Sequence, residues 1–138
     1  MLSASRRLLR PCADRPDLDV LAELVDFAAA LPGVIARNDG CGRVTALGLR
    51  EGDAMGPPDA LFADGTFARR HADHDGLEVI LPERLWQHAV SRRLARAAVP
   101  SKPDATSRVT HLAAPSDGLG RLELEELVEG AWAYARGL

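Results

Sequence analysis

The chain has 138 residues, the length of one domain with a single hydrophobic core. Hydrophobic residues make up 46% of it and charged residues 27%, a composition that is typical of a globular protein and excludes an intrinsically disordered one. The formal net charge of −3 argues against a general nucleic-acid binder, and no apolar run approaches the roughly 20 residues that span a bilayer.

The N-terminal segment is basic but has no apolar run of signal-peptide length. We therefore predict a cytoplasmic protein in which residues 1–16 form a tail and residues 17–138 form a single domain. Cys12 and Cys41 lie far apart and fit no metal-ligand spacing, so the sequence indicates no metal site there and requires no disulfide.

Three helices are predicted from apolar residues that recur at helical spacing. They run from Asp17, as an N-cap, to the Pro32-Gly33 pair, from Pro82 through Ala97, and from about Leu119 to Arg136. The residues expected to be buried are Leu18, Leu21, Val25 and Ala28 in the first helix, Trp86, Val90, Leu94 and Ala97 in the second, and Leu124, Leu127, Val128, Ala131 and Ala135 in the third.

Five strands are predicted between these helices. In chain order they are Gly33–Arg37, Arg43–Leu49, Ala60–Ala63, Leu77–Leu81 and Arg108–Ala114. The Asn38-Asp39-Gly40 sequence predicts a hairpin turn between the first two strands. The order of the elements predicts an α+β fold, with a mainly antiparallel sheet of about five strands and helices packed on one side.

Groups that suit acid–base chemistry are concentrated just before the Leu77–Leu81 strand. His71 and His74 alternate with Asp73 and Asp75. The unperturbed pKa of histidine lies near neutrality, so His71 suits the role of general base, and an aspartate would orient or stabilise its imidazole. We predict His71, His74 and Asp73 as catalytic residues.

Three further residues are predicted to bind a substrate. Arg69 would hold an enolate or a carboxylate through its guanidinium N–H groups, as would its neighbour Arg70. Trp86 is most simply a core residue, although it would also suit the wall of a pocket for a planar molecule. His111 lies in the middle of a strand, where a half-buried and hydrogen-bonded histidine is the simpler interpretation.

Two other interpretations of the histidine segment remain open at this point. His71 and His74 lie three residues apart, and with Asp73 or Asp75 they would make part of a metal site. Such a pair recurs by chance and no distant third ligand follows, so we expect neither a metal nor a cofactor. The segment is also explained as a polar turn that solvates a strand connection.

The chain also carries a family resemblance, mainly in its second half. Phe67–Pro82 places a histidine motif before a strand that ends at a proline, Arg108–Pro115 forms a late strand, and Leu119–Gly137 a last helix. This order resembles the luciferase-domain family, which groups small bacterial proteins with the fungal luciferase. The resemblance extends back to the Leu31–Val34 segment, and it implies cofactor-free oxygenation of an acidic enol such as a pyrone.

The chain matches this family pattern in part. His71 corresponds to the second histidine of the family's HxH motif, and His74 resembles a further histidine of the fungal branch. Arg69 stands where the family has the first histidine, and Ser116 stands where it has an arginine after the late strand. The segment Ala95–Pro100 lacks the histidine that the family carries after the middle helix.

We therefore expect an enzyme that resembles the cofactor-independent oxygenases of this family. It would act on an acidic enol or a phenol-type aromatic or polyketide-like small molecule, with His71 as the base, in a pocket between the sheet and the helices. The alternative is a non-catalytic binding or interaction module that has lost the family's active site. A homodimer, with a site completed by the partner chain, is a third alternative.

Overall fold

The computed structural model describes residues 19–38, 44–71, 76–113 and 120–138. Three helices and six strands lie in these ranges, together with a single turn of 3₁₀ helix at Pro58–Ala60. In chain order they are α1 (Asp19–Ala29), β1 (Val34–Asn38), β2 (Val44–Leu49), β3 (Thr66–His71), β4 (Gly76–Leu81), α2 (Glu83–Ser91), β5 (Ala95–Pro100), β6 (Arg108–Ala113) and α3 (Arg121–Arg136).

The strands form one open sheet in the order β1-β2-β3-β4-β6-β5, and every pair of neighbours is antiparallel. The predicted α+β fold is therefore confirmed, with one more strand than the sequence suggested. β6 lies between β4 and β5. The chain therefore passes from β4 through α2 to the edge strand β5 before it returns to β6 beside β4.

All three helices pack against the same face of the sheet. Leu24 of α1, Ala89 of α2 and Leu127 of α3 belong to one buried cluster with Leu47, Leu77 and other residues of the strands. The five apolar residues predicted to be buried in the last helix are at most 2% exposed. Residues paired across an antiparallel ladder point to the same face, so the register assigns every strand residue to the helix side or to the opposite side.

The strand predicted at Ala60–Ala63 is wrong, and the strand lies at Thr66–His71 instead. The Thr66 backbone amide and hydroxyl both donate to Asp64 Oδ1, at 3.1 and 2.6 Å, which fixes the turn that leads into β3. A bulge in the β2–β3 ladder follows, and it lets the adjacent Phe67 and Ala68 both be buried in the core. A charged Thr-Phe-Ala-Arg-Arg-His sequence lacks the alternation that predicts a strand, which is why β3 was missed.

The second predicted helix is too long, because α2 ends at Ser91 and residues 95–100 form β5. Arg93 adopts a left-handed backbone conformation (φ 58°) directly after the helix. Its amide donates to Val90 O at 3.0 Å and the Leu94 amide to Ala89 O at 2.9 Å, a Schellman ending that usually has glycine at this position. The predicted buried stripe holds in part, since Leu94 is 5% exposed and Trp86 packs against the core. It is wrong for Val90, which is 47% exposed, and for Ala97, which is an exposed strand residue.

No helix in the described part of the chain is long and apolar enough to cross a membrane. Several predictions fall outside the described residues. They concern the tail at 1–16, the Asp17 cap, Leu18, the two cysteines and most of the turn at 38–40.

Candidate functional site

The sheet face that points away from the helices carries a group of charged residues, and we call this side the open face. Arg69 of β3, Glu78 of β4 and His111 of β6 stand directly beside one another in the register. His71 lies two residues beyond Arg69 on β3 and points to the same side. An antiparallel sheet with helices on one side can face water on the other, and these residues are the polar centre of that other side.

Arg69, His71 and Glu78 form what we call the open-face cluster. Arg69 Nε donates to Glu78 Oε1 at 3.2 Å, and His71 Nε2 lies 3.8 Å from the same oxygen. The three side chains are between a quarter and two fifths exposed, at 35% for Arg69, 37% for His71 and 26% for Glu78. One carboxylate therefore faces both a permanent cation and a group that gains charge when it binds a proton.

Phe62 fixes the plane of the Arg69 guanidinium. The central carbon of the guanidinium lies 4.0 Å from the centroid of the Phe62 ring, in cation–π contact. Held by Phe62 on one side and by Glu78 at Nε, Arg69 has little rotational freedom. Neither of its terminal nitrogens donates a hydrogen bond to a residue that the structure describes.

Gly76 shapes the open face beside this cluster. A side-chain carbon at this position would lie 2.1 Å from His111 Nε2, so the absence of a side chain lets the His111 imidazole lie over β4. His111 is half-buried, as the sequence suggested, and is the cross-strand neighbour of Glu78. His71 and His111 thus share one face of the sheet, on either side of β4.

Trp86, which was also predicted to bind a substrate, does not join this group. Trp86 lies in the helix layer, where its indole N–H donates to Thr106 O at 2.8 Å and the guanidinium of Arg108 stacks on its ring at 4.0 Å. It is half-buried against the core on the opposite side of the sheet from His71. His74, Asp73 and Asp75 lie outside the described residues.

The expected location between the sheet and the helices therefore does not hold for His71, which points away from the helices. Arg70, the alternative to Arg69, points to the helix side, because it pairs with the buried Leu77. The site that sequence reasoning placed in an internal pocket lies on the outside of the sheet.

A second cluster of the same residue types lies on the helix layer, and we call it the helix cluster. Arg92 donates to both carboxylate oxygens of Glu123, from Nε at 3.1 Å and from Nη2 at 2.9 Å, and His88 Nε2 lies 3.8 Å from Oε2. The hydrogen bonds from Arg92 hold the pKa of Glu123 below its ordinary value. A cavity of about 580 Å³ beside it is lined by Glu83, Leu85, His88 and Glu126 among others.

A third polar group joins the 3₁₀ turn, the β5–β6 connection and α3. Ser107 is fully buried and donates to Asp59 Oδ2 at 2.7 Å, and the Tyr134 hydroxyl donates to the same oxygen at 2.9 Å. Burial alone would raise the pKa of Asp59, but these hydrogen bonds outweigh it and leave the pKa below its ordinary value. Burial and the bond to Asp59 raise the pKa of Tyr134. The group ties three parts of the chain together, which is a structural role.

Glu78 and Phe62 are the residues that sequence reasoning missed. Glu78 lies within the predicted Leu77–Leu81 strand but was given no role, and Phe62 was assigned to a strand that does not form. Had Thr66–His71 been recognised as a strand, the hairpin register would have set Glu78 opposite Arg69. No comparable sequence signal places Phe62, because its loop folds over the open face only through the tertiary structure.

No protein-family model, no curated protein and no solved structure matches the chain. The resemblance to the luciferase-domain family therefore stays a prediction from the residues quoted above. The positions of Arg69, His71 and Glu78 on the open face are therefore the basis for a proposed function.

Proposed function

We propose that the protein is a small-molecule enzyme in which His71 accepts a proton from an acidic enol or phenol bound on the open face. The observation that carries this proposal is the position of Glu78 Oε1, 3.8 Å from His71 Nε2 and 3.2 Å from Arg69 Nε. Histidine is the side chain that enzymes use most often to accept a proton in general acid–base catalysis.

The three residues of the open-face cluster have distinct roles in this proposal. His71 takes the proton and becomes an imidazolium, which Glu78 stabilises as its counterion. Arg69 stabilises the negative charge that the substrate gains. The resemblance to the luciferase-domain family adds a second step, in which the substrate anion reacts with dioxygen as co-substrate and no cofactor takes part.

A proton-transfer assay tests the first step without depending on the second. Once the hydroxyl proton has been taken, the enolate accepts a deuteron at C3 from the imidazolium and returns the C3 proton to His71. Exchange of the C3 hydrogen of 4-hydroxy-6-methylpyran-2-one for deuterium is therefore followed by NMR in D₂O, and oxygen consumption is recorded with the same pyrone and with a set of phenols. We expect the protein to accelerate exchange and His71→Asn to lower that acceleration about a hundredfold. Glu78→Gln removes the counterion of the imidazolium but keeps the His71 imidazole, so it should lower the rate by less than His71→Asn does.

His88→Asn is the matched control, because His88 has the same 3.8 Å relation to a glutamate in the helix cluster. It should leave exchange within about twofold of the unmodified protein, and both variants should melt within a few degrees of it. Exchange that is unaffected by His71→Asn, in a folded variant, contradicts the proposed role.

A second candidate function is binding without turnover. It is favoured by Arg69, which stands at the position of a family histidine and cannot act as a base because it stays protonated. In that case small acids bind to the open face, while exchange and oxygen consumption stay at the rates of the uncatalysed reactions.

A further inference from the structure

We infer that the open face recognises a carboxylate, which Arg69 binds with its two terminal nitrogens, and that the ligand class is a small aromatic or enolic acid with an acidic hydroxyl next to the carboxylate. This inference rests on the proposed function and adds the identity of the group that anchors the substrate. The observations behind it are the contacts of the Arg69 guanidinium with Glu78 and Phe62.

The guanidinium of Arg69 is oriented before any ligand arrives. Glu78 accepts a hydrogen bond from Nε, and the Phe62 ring covers one flat side at 4.0 Å. Both contacts leave the end of the guanidinium, with Nη1 and Nη2, without a hydrogen bond to the described residues. Two parallel N–H groups in one plane match the two oxygens of a carboxylate, and fixing that plane beforehand lowers the entropy lost on binding.

The helix cluster provides a comparison in which the arginine already has a bidentate carboxylate partner. There the Arg92 guanidinium donates from Nε and Nη2 to both oxygens of Glu123. Its side chain is 58% exposed, against 35% for Arg69. An arginine with such a bidentate partner has little left to offer a second carboxylate, whereas Arg69 uses only Nε.

His71 explains why the acid should also carry an acidic hydroxyl. Arg69 Nε and His71 Nε2 are at most about 7 Å apart, because they lie 3.2 and 3.8 Å from the same Glu78 oxygen. A carboxylate on Arg69 and a neighbouring hydroxyl directed at His71 would span such a separation in one small ligand. An enolic hydroxyl that is acidic enough gives its proton to the imidazole, the oxygen keeps its electron pair, and no redox partner is needed, whereas a phenolic hydroxyl donates a hydrogen bond to the imidazole.

Small residues beside the cluster leave room for a flat ring. Ala46 and Val44 of β2 are the cross-strand neighbours of Arg69 and His71, and both are half-buried. Together with Phe62 they give the charged groups an apolar border. A hydroxybenzoate ring would lie along this border, while its polar edge faces Arg69 and His71.

Isothermal calorimetry with three probes tests the inference. Salicylate has the carboxylate and the hydroxyl, benzoate lacks the hydroxyl, and salicylamide lacks the charge. We expect salicylate to bind most tightly, benzoate more weakly and salicylamide at least about tenfold more weakly than salicylate. Arg69→Lys should weaken salicylate binding about tenfold, because lysine keeps the charge but loses the planar fork.

Arg92→Lys is the control with the same chemical change in the helix cluster, and it should leave salicylate affinity within about twofold. Phe62→Leu should weaken binding about threefold, because it releases the guanidinium but keeps its charge. Circular dichroism of each variant confirms that it is folded. Since Phe62→Leu does not remove Arg69, it keeps the inference testable if Arg69→Lys fails to fold.

Three results would overturn the inference: equal affinity for salicylate and salicylamide, equal effects of Arg69→Lys and Arg92→Lys, or no binding of any probe below about 10 mM. Its failure is distinguishable from that of the proposed function. Loss of carboxylate binding in Arg69→Lys together with unchanged proton exchange in His71→Asn upholds the anion site and rejects the base. The reverse pair of results upholds the base and rejects the anion site.

Discussion

The two Arg–Glu–His clusters have the same residue types and the same 3.8 Å separation between histidine and carboxylate, yet they differ in what the arginine does. In the helix cluster, Arg92 and Glu123 form a bidentate pair between two helices, and exposed pairs of this kind contribute little to stability. In the open-face cluster, Arg69 gives only Nε to Glu78 and rests on Phe62. The residue types alone therefore do not define a site. What distinguishes the open-face cluster is that Nη1 and Nη2 of Arg69 have no hydrogen bond to a described residue.

The settings of the two clusters differ as well. The open-face cluster stands on the two middle strands β3 and β4, which are hydrogen-bonded on both sides, so its backbone is held rigidly. The helix cluster joins side chains at the surfaces of α2 and α3. A site that must hold reacting groups in a fixed geometry is better placed on such strands than on flexible side chains between helices.

The largest loss of stability is expected from a substitution of a glycine in the sheet, and a glycine in the helix layer provides the comparison. In Gly76→Ala the new carbon would lie 2.1 Å from His111 Nε2 and 2.6 Å from the Leu112 backbone oxygen, and the backbone cannot move cheaply. We expect a loss of about 2 kcal/mol or more in the free energy of unfolding, measured by urea denaturation.

Gly130→Ala is the counterpart in α3. Its new carbon would lie 2.3 Å from Leu85 Cδ1, the far end of a flexible side chain, and alanine favours a helix by about 1 kcal/mol over glycine. The stability of this variant should stay within about 1 kcal/mol of the unmodified protein. Equal losses in the two variants would contradict the rigid setting assigned to the open-face cluster.

A smaller effect is expected from Asp59→Asn, which lies in neither cluster. The variant keeps an acceptor for Ser107 and Tyr134 but loses its charge, so it should lose about 1 kcal/mol near neutral pH. The lowered pKa of Asp59 means that the unfolded chain binds its proton first as pH falls. The stabilisation is therefore present above the ordinary pKa of 3.8 and disappears as pH falls through the lower value in the folded protein.

Urea denaturation at about pH 6 and at about pH 3 measures this difference. The gap in stability between the unmodified protein and Asp59→Asn should narrow at the lower pH. Salicylate affinity at neutral pH should not change, because the residue touches neither cluster. A gap that widens as pH falls would show that the hydrogen bonds do not favour the ionised carboxylate.

The sequence predicted the parts of the fold that have long, regular patterns. The five buried apolar residues of α3 repeat at helical spacing over about three turns, and the strand at Leu77–Leu81 is apolar except for Glu78 and lies between turn signals. β3 was missed because its two arginines point to opposite faces, with Arg69 on the open face and Arg70 on the helix side. β5 was missed because alanine-rich Ala95–Val99 favours a helix locally, and pairing with β6 overrides that preference.

The candidate site was predicted in part. His71 and Arg69 were found because their chemistry is visible in the residue type, whereas Glu78 and Phe62 depend on a strand register and a loop path that no local pattern encodes. Trp86 was assigned to the site because an aromatic residue suits a planar ligand, and the structure places it on the other side of the sheet. The pairing of the strands sets the face of the sheet on which each side chain lies. One misplaced strand was therefore enough to assign Trp86 and His71 to the same side.

The most direct test of the account is NMR of the histidine imidazoles. The protein is labelled with ¹⁵N-histidine, the signals are assigned with single His→Asn variants, and salicylate is added in steps. We predict that the signal of His71 shifts along a single saturation curve, while the signal of His88 in the helix cluster stays in place. Equal shifts of His88 and His71, or no shift of His71 at saturating salicylate, would contradict the claim that the open face binds small acids beside His71.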